Sequence, residues 1–328
     1  VARLAYLGPP GTFAGEAIAT QPDLCEMELV PMRTVPDVVN AVEAGRADLG
    51  VIPLENSVEG SVPVTLDTLA FDTELLVQRE IDLSITLQLC VFPGTRLADI
   101  TSVASHPHGN AQCRLWLAAK LPEVVVEAAN STSDAARLTA AAGAGSGKAA
   151  ICNAGAAAIY GLEVLEADIQ DHEGNETRFV VLGRGIPGPT GHDKTAIVCF
   201  QREDRPGSLL AILAEFAARS INLTKLESRP TKQALGQYCF VFEFEGHIAD
   251  ELVADCLRDL AAKQAEVKFL GSYPVAGAEV AQDRRKAADE SRLAATRWID
   301  ELRAGIRPTD SLLLEPPASG GGTPEDTA

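Results

Sequence analysis

Along the first half of the chain, apolar positions recur with two alternating periods. Short runs such as RLAYLG, MELVPM and ADLGVIPLENS read as strands. Between them FAGEAIAT and VPDVVNAVEAG space their apolar residues as one face of a helix requires. The rhythm returns in SVASHP, GNAQCRLWLAAKL, EVVVEAA, STSDAARLTAAA and KAAICNAGAAAIYG. Such alternation predicts largely parallel sheets with helices on their faces. The β-rich passage LLVQREIDLSITLQLCVF (Leu75 to Phe92) lies between the two sets and is suited to carry the chain from one lobe to another. Two α/β lobes are expected, with a ligand-binding cleft between them at the strand ends.

GRGIPGPTGHD (Gly183 to Asp193) lacks periodicity and reads as a linker. Beyond it come strand KTAIVCF, helix SLLAILAEFAARS, strands INLTKLESRP and QYCFVFEFEG, helix ADELVADCLRDLAAK and strand EVKFLGSYP. The order βαββαβ is the split-βαβ, ferredoxin-like unit. In QYCFVFEFEG, Tyr238, Phe240, Phe242 and Phe244 alternate with their neighbours, marking a strand with two different faces. After Pro274 the chain becomes charged; residues 284–303 suit an amphipathic helix with Ala295, Trp298, Ile299 and Leu302 on one stripe, and the Gly/Pro-rich end lacks the composition of a core.

Length allows about two domains of ~150 residues. A net charge of -18 repels phosphate backbones and anionic lipid, so nucleic acid and membrane surfaces are poor partners. The N-terminal run meets Gly and Pro too early for a signal peptide, and a cytoplasmic protein is expected. The seven cysteines are scattered and never form C-x-x-C, which predicts reduced thiols and no zinc site. His106 and His108 have no third ligand at a recognisable spacing, so no metal is expected.

Four loops at strand ends carry candidate chemistry: GPPGTF (Gly8 to Phe13), PLENSVEGSV (Pro53 to Val62), SHPHGNAQC (Ser105 to Cys113) and NETRF (Asn175 to Phe179). Singly, each also reads as turn and cap residues. In this order and spacing they resemble prephenate dehydratase, and DRPGSLLAIL with INLTKLESRP resembles the ACT regulatory domain that follows it in that family. The resemblance covers Val1 to about Val275, with His108 where Gln is usual and Asn153 where Ser is frequent. It implies a two-lobed, type II periplasmic-binding-protein-like catalytic domain over residues 1–183, with lobes of about 1–78 plus 156–183 and 79–155. A linker (184–193), a ferredoxin-like ACT domain (194–275) and a charged tail (276–328) follow. The implied reaction is decarboxylating dehydration of prephenate to phenylpyruvate in L-phenylalanine biosynthesis, without metal or organic cofactor. Arogenate as substrate, or a non-catalytic aromatic amino-acid sensor, are the alternatives.

Carried over residue by residue, the resemblance makes Thr177 the catalytic residue, a hydrogen-bond or proton donor to the leaving hydroxyl. Arg178 cannot act as a base, but its fork binds carboxylates. Pairing it to the departing carboxylate would stabilise the ground state, so it is expected on the pyruvyl carboxylate, unless it braces the motif. Phe179 is expected as wall or core, and Thr12, Glu55, Asn56, Ser57, Ser105 and Gln112 as substrate-orienting groups. L-Phenylalanine as effector is expected at Gly207, Ser208, Leu209 and Leu210. A second wall, Glu227, Ser228, Arg229 and Pro230, would come across a subunit interface, with Asn222 on the ammonium. Such a site needs self-association through ACT domains, as a dimer or tetramer. The alternative for Glu227 and Arg229 is an exposed ion pair.

Overall fold

A computed structural model describes residues 1–201, 205–232, 237–276 and 296–305. It forms one compact unit over Val1–Ala278 and a second over Glu279–Ala328. In the second, residues 296–304 are helical, with Trp298 and Leu302 exposed; Ala295 and the rest of the expected tail helix lie outside the described residues.

The first sheet joins β1 (Arg3–Leu7), β2 (Glu28–Met32), β3 (Leu49–Asn56), the short β4 (Gly60–Ser61), β5 (Leu76–Ser84) and, from much later in the chain, a strand over Glu176–Gly183. The second sheet takes β6 (Gln88–Val91), β7 (Ser102–Ser105), β8 (Val125–Ala128), β9 (Lys148–Cys152) and β10 (Glu163–Glu166), which makes the returning strand β11. Their orders, β2-β1-β3-β11-β5 and β8-β7-β9-β6-β10, are the same pattern. Three strands run parallel, and the strand entering from the other lobe, β11 or β6, is inserted antiparallel. This is the expected two-lobed, type II arrangement.

Helix Val35–Glu43 shows how the local sequence builds it. Thr34 accepts the Asp37 amide as N-cap, Pro36 sits in the first turn, and Val35, Val38, Val39, Ala41 and Val42 form the buried stripe. The crossings differ from the expected boundaries near 79 and 156. β5 stays with the first sheet to Ser84, paired along β11, and β10 belongs to the second sheet beside β6. The chain changes lobe at 85–87 and 167–175. The first crossing has no turn, because an extended chain simply leaves one sheet for the other, so no Gly or Pro marks it.

The ACT part has β12 (Asp193–Gln201), β13 (Leu223–Pro230), β14 (Tyr238–Glu245) and β15 (Ala265–Pro274) in the antiparallel order β13-β14-β12-β15. Helices Ser208–Ala217 and Glu251–Asp259 cover one face, where Phe242 and Phe244 pack with Ile212, Phe216, Val253 and Cys256. The opposite face is also buried. Ala196, Val198, Cys239, Val241, Leu270 and Tyr273 share one apolar cluster with Leu66, Leu69, Val77, Val180 and Leu182 of the catalytic part. Cys25 is exposed, and the other six cysteines are buried and free.

At this seam β15 passes so close to β5 that a Cβ on Gly271 would lie 2.7 Å from the Val77 carbonyl oxygen, and its φ is +140°. Gly271→Ala should therefore cost more than about 1 kcal/mol, read as a lowered midpoint in urea denaturation. An unchanged midpoint would show that the seam yields freely.

Candidate active site

Side chains of neighbouring strand residues point to opposite faces, and at the start of β11 this separates two kinds of chemistry. Thr177 pairs with Asn56 of β3. The Asn56 amide nitrogen donates to Thr177 Oγ1 (2.9 Å), Asn175 Oδ1 (2.7 Å) and the Glu176 carbonyl (3.0 Å). Its Oδ1 accepts the Val58 and Glu59 amides, each at 3.0 Å, so the Asn56 side chain also shapes the turn after β3. Ser57 clamps the same strand entrance, its Oγ accepting the Glu176 amide at 2.9 Å. Asn175 is 4% exposed and donates to Gln112 Oε1 at 3.1 Å. Gln112 ends helix Pro107–Gln112 of the second lobe. Thr177, Asn56, Ser57 and Gln112 are thus brought together across the two lobes.

Asn175 is the organiser that was not singled out from the sequence. It stands two residues before Thr177, and period-two spacing was the available signal.

Arg178 lies on the other face. Instead of opening to a substrate carboxylate, its guanidinium is held by Glu55 (2.6 Å), Glu80 (3.1 Å) and Glu243 (2.7 Å). Glu80 and Glu243 side chains are only 1% and 3% exposed, and Arg178's is 14%. Lys194 of β12 binds Glu80 at 3.0 Å, and Lys225 of β13 binds Glu55 at 3.1 Å. The seam between the two parts therefore carries a cluster of charges, Glu55, Glu80 and Glu243 on Arg178 with Lys194 and Lys225 beside them, and with Asp82 and Glu227 at its margins. Burial opposes the Arg178 charge, but Glu243 and Glu80 outweigh it and raise its pKa. Of the two expectations for Arg178, this geometry fits the one in which it braces the motif: its guanidinium ties β11 to the ACT sheet through Glu243, with Glu55 on the same guanidinium.

Other expected residues serve their own lobes. Thr12 Oγ1 donates to the Leu7 carbonyl (2.8 Å), and fully buried Ser105 donates to the Ile151 carbonyl (2.7 Å). Phe179 is core, packed with Leu4, Tyr6 and Ile81. The GPPGTF turn joins the lobes: the Pro10 carbonyl accepts Ser133 Oγ and Tyr160 Oη. Gly11 has φ +83°, and a Cβ there would meet Ser133 Oγ and Ala156 Cα at 3.0 Å. Asn153 caps the helix at Ala154–Tyr160 and donates to Glu16 across the lobes at 2.7 Å; burial raises the Glu16 pKa. His106 and His108 stack edge to face, with His108 Nδ1 3.9 Å from Glu59. Burial, then His108, lower the His106 pKa. Among the described residues, no group of three or more His, Cys, Asp or Glu side chains could hold a metal.

In the ACT part, Gly207 caps helix Ser208–Ala217 with open space before it, and Leu210 is 70% exposed. Asn222 donates to Glu245 (3.0 Å). Glu227 and Arg229 are not an exposed pair: Glu227 accepts Ser61 Oγ and Arg229 binds Asp67 at 2.6 Å, both facing the catalytic part. Leu226, Ser228 and Pro230 point the other way and are exposed.

Residues 4–186 match the prephenate dehydratase family and residues 195–262 the ACT domain. A prephenate dehydratase of Mycobacterium tuberculosis is 41% identical over 326 residues, covering 94% of this chain and 98% of its own. This chain belongs to the prephenate dehydratase family. It is accordingly a hydro-lyase with an ACT domain behind its catalytic part. The crystal structure of prephenate dehydratase from Arthrobacter aurescens in complex with L-Phe superposes with a TM-score of 0.81 at 39% identity, covering 93% of this chain and 100% of that one. GqqA, described as a novel type of quorum quenching acylase, superposes at 0.75 with 28% identity, covering 84% of this chain and 98% of its own. A shared frame does not by itself fix chemistry; here membership of the prephenate dehydratase family rests on the sequence match. No helix among the described residues is long and apolar enough to cross a membrane.

The brace has a pH signature. Burial alone would raise the Glu55 pKa, but Lys225, with hydrogen bonds from Arg178 and Lys225, lowers it below its ordinary 4.5. A carboxyl with a lowered folded value stabilises fully above the unfolded value, and that stability is lost as pH falls through the folded one. Wild type should therefore lose thermal stability below pH 4.5, and Lys225→Gln should flatten that acid limb in melts taken across the range. Superimposable limbs would show that the Lys225–Glu55 pair contributes nothing.

Proposed function

We propose that Thr177 donates a hydrogen bond, or relays a proton from water, to the hydroxyl that leaves prephenate as the ring carboxylate departs. The observation that carries this reading is the Asn56 amide donating to Thr177 Oγ1 at 2.9 Å. A hydroxyl has one proton and two acceptor sites. Asn56 shares two N–H hydrogens among three acceptors, and as one of these Thr177 Oγ1 keeps its own proton available to donate.

The reaction turns the prephenate dianion and one proton into the phenylpyruvate anion, carbon dioxide and water. The ring C–CO₂ bond breaks, its electron pair completes the aromatic ring, and the C–OH bond breaks with its pair on oxygen. Charge grows on that oxygen, so a donor aimed there binds the transition state better than the ground state. Decarboxylation needs the departing carboxylate free of a strong cation, and Arg178, occupied by Glu55, Glu80 and Glu243, is consistent with that. Gln112 and Ser57, at the same entrance, are the groups placed to orient the substrate. Catalytic residues 1–183, linker 184–193, ACT residues 194–275 and tail 276–328 remain the working division, with the lobes exchanging at 85–87 and 167–175.

Thr177→Ala should lower kcat by ~10²–10³-fold, the range for losing one oxyanion donor, in an assay of phenylpyruvate formation run beside arogenate as competing substrate. Thr177→Val with normal turnover would remove the hydroxyl from the mechanism.

L-Phenylalanine is the effector in this reading, bound where Gly207 and the N-terminus of helix Ser208–Ala217 face a second copy's exposed β13 edge. Support comes from β13 ending the ACT sheet with Leu226, Ser228 and Pro230 exposed, and from the L-Phe complex of the Arthrobacter relative. A shared site makes the unit a dimer, or a tetramer of two dimers. Gly207→Val should abolish phenylalanine inhibition, a coupling of about 1–3 kcal/mol, while leaving turnover intact. Undiminished phenylalanine binding by this variant in calorimetry, or binding by a monomer in light scattering, would place the effector elsewhere.

A further inference from the structure

The reacting side chain and the regulatory sheet are one residue apart. Glu243 belongs to β14 of the ACT part, yet its two oxygens accept from Arg178 Nη1 at 2.7 Å and Nη2 at 3.3 Å. This is a two-point grip, which fixes the plane of the guanidinium as well as its position. Arg178 follows Thr177 directly, and the pairing of β11 with β3 shifts register between Arg178 and Phe179. The ladder to β5 runs unbroken past the site, but on the β3 side the register slips by one residue at Arg178, so there the grip on the Arg178 side chain adds to the ladder in setting the strand entrance. The remaining carboxylates on Arg178 are themselves held from the ACT side, Glu80 by Lys194 and Glu55 by Lys225.

We propose that Glu243 is a positioning residue for Thr177: through Arg178 it sets the strand entrance from which the Thr177 hydroxyl is presented, so the ACT sheet completes the catalytic part. The inference rests on the reading of Thr177 given above.

A further feature agrees with it. Glu243 is 3% exposed, and Glu55 and Glu80, which would remain on Arg178, are shared with Lys225 and Lys194, so neutralising Glu243 removes the two-point grip and draws the guanidinium towards the other two carboxylates.

The test compares full-length wild type, Glu243→Gln, Thr177→Ala and Asp67→Asn. Asp67 holds Arg229 and Lys232 at the same seam without touching Arg178. Melting temperature, kcat and KM for prephenate are measured, the kinetics well below each melting temperature. Glu243→Gln should lose kcat by about 10- to 100-fold, the scale of a misplacement near 1 Å, with KM within about twofold. Asp67→Asn should lose melting temperature but keep kcat, since it loosens the seam without releasing Arg178. Wild-type kcat in folded Glu243→Gln beside an inactive Thr177→Ala overturns this proposal alone. Wild-type kcat in Thr177→Ala overturns the reading of the site and this proposal with it. A kcat loss in Asp67→Asn equal to that in Glu243→Gln reduces Glu243 to general seam stability and also overturns it. If Glu243→Gln does not fold, Glu243→Asp, which keeps the charge but shortens the reach by about 1.5 Å, is judged by the same outcomes.

Discussion

Thr177 and Arg178 must leave β11 in opposite directions, and most of the molecule is arranged around the two consequences. On one face the hydroxyl meets Asn56 and, through Asn175, Gln112 of the other lobe. On the other, a guanidinium enters the interior and needs compensation, because an uncompensated buried charge costs several kcal/mol. Compensation arrives from both parts: Glu55 and Glu80 from the catalytic sheet, Glu243 from the ACT sheet. Three carboxylates on one guanidinium would leave net negative charge, and Lys194 and Lys225 offset it. A residue type demanded at one strand position thereby meets charges on five other strands.

The lobes meet by a different logic. Their contact joins backbone and side-chain hydrogen bonds, with the Pro10 carbonyl receiving Ser133 and Tyr160, Asn153 reaching Glu16, and Gly11 fitting where any Cβ would press on Ser133 and Ala156. Neutral hydrogen bonds contribute only about 1 kcal/mol each. The seam to the ACT sheet adds a continuous apolar cluster and buried ion pairs.

Much of this was legible in the residues. The helix and strand periods marked the elements, the Phe240, Phe242 and Phe244 alternation marked the helix-covered face of the ACT sheet, and the four loop motifs marked a cleft whose Thr177, Asn56, Ser57 and Gln112 do come together. What was not legible has one cause. Glu243 and Lys225 alternate with apolar neighbours as solvent-facing residues do, and Glu80 sits in QREID like an ordinary surface charge. A sheet face covered by another domain looks, within its own strand, like a face covered by water. For Arg178 the sequence left two readings open for the same reason: its fork signals carboxylate recognition, and the carboxylates it holds in this structure are the protein's own. Thr12 and Ser105 illustrate the other limit, since a hydroxyl that satisfies a nearby carbonyl has the same letter as one that greets a substrate.

A seam built from charge as well as apolar surface also behaves differently when pushed. Apolar contacts lose energy gradually as two surfaces slide, whereas a buried guanidinium keeps its carboxylates at hydrogen-bond distance or must find others. Buried ion pairs add little net stability over apolar replacements, but half-broken ones are costly. The intermediate positions are therefore the unfavourable ones, and a displacement of the ACT sheet against β11 must keep or exchange whole ion pairs. β13 and β14 are hydrogen-bonded neighbours carrying Lys225, Glu227 and Arg229 on one strand and Glu243 on the next. Any event that shifts this strand pair must break or keep the grip on Arg178, and Thr177 is the adjoining residue.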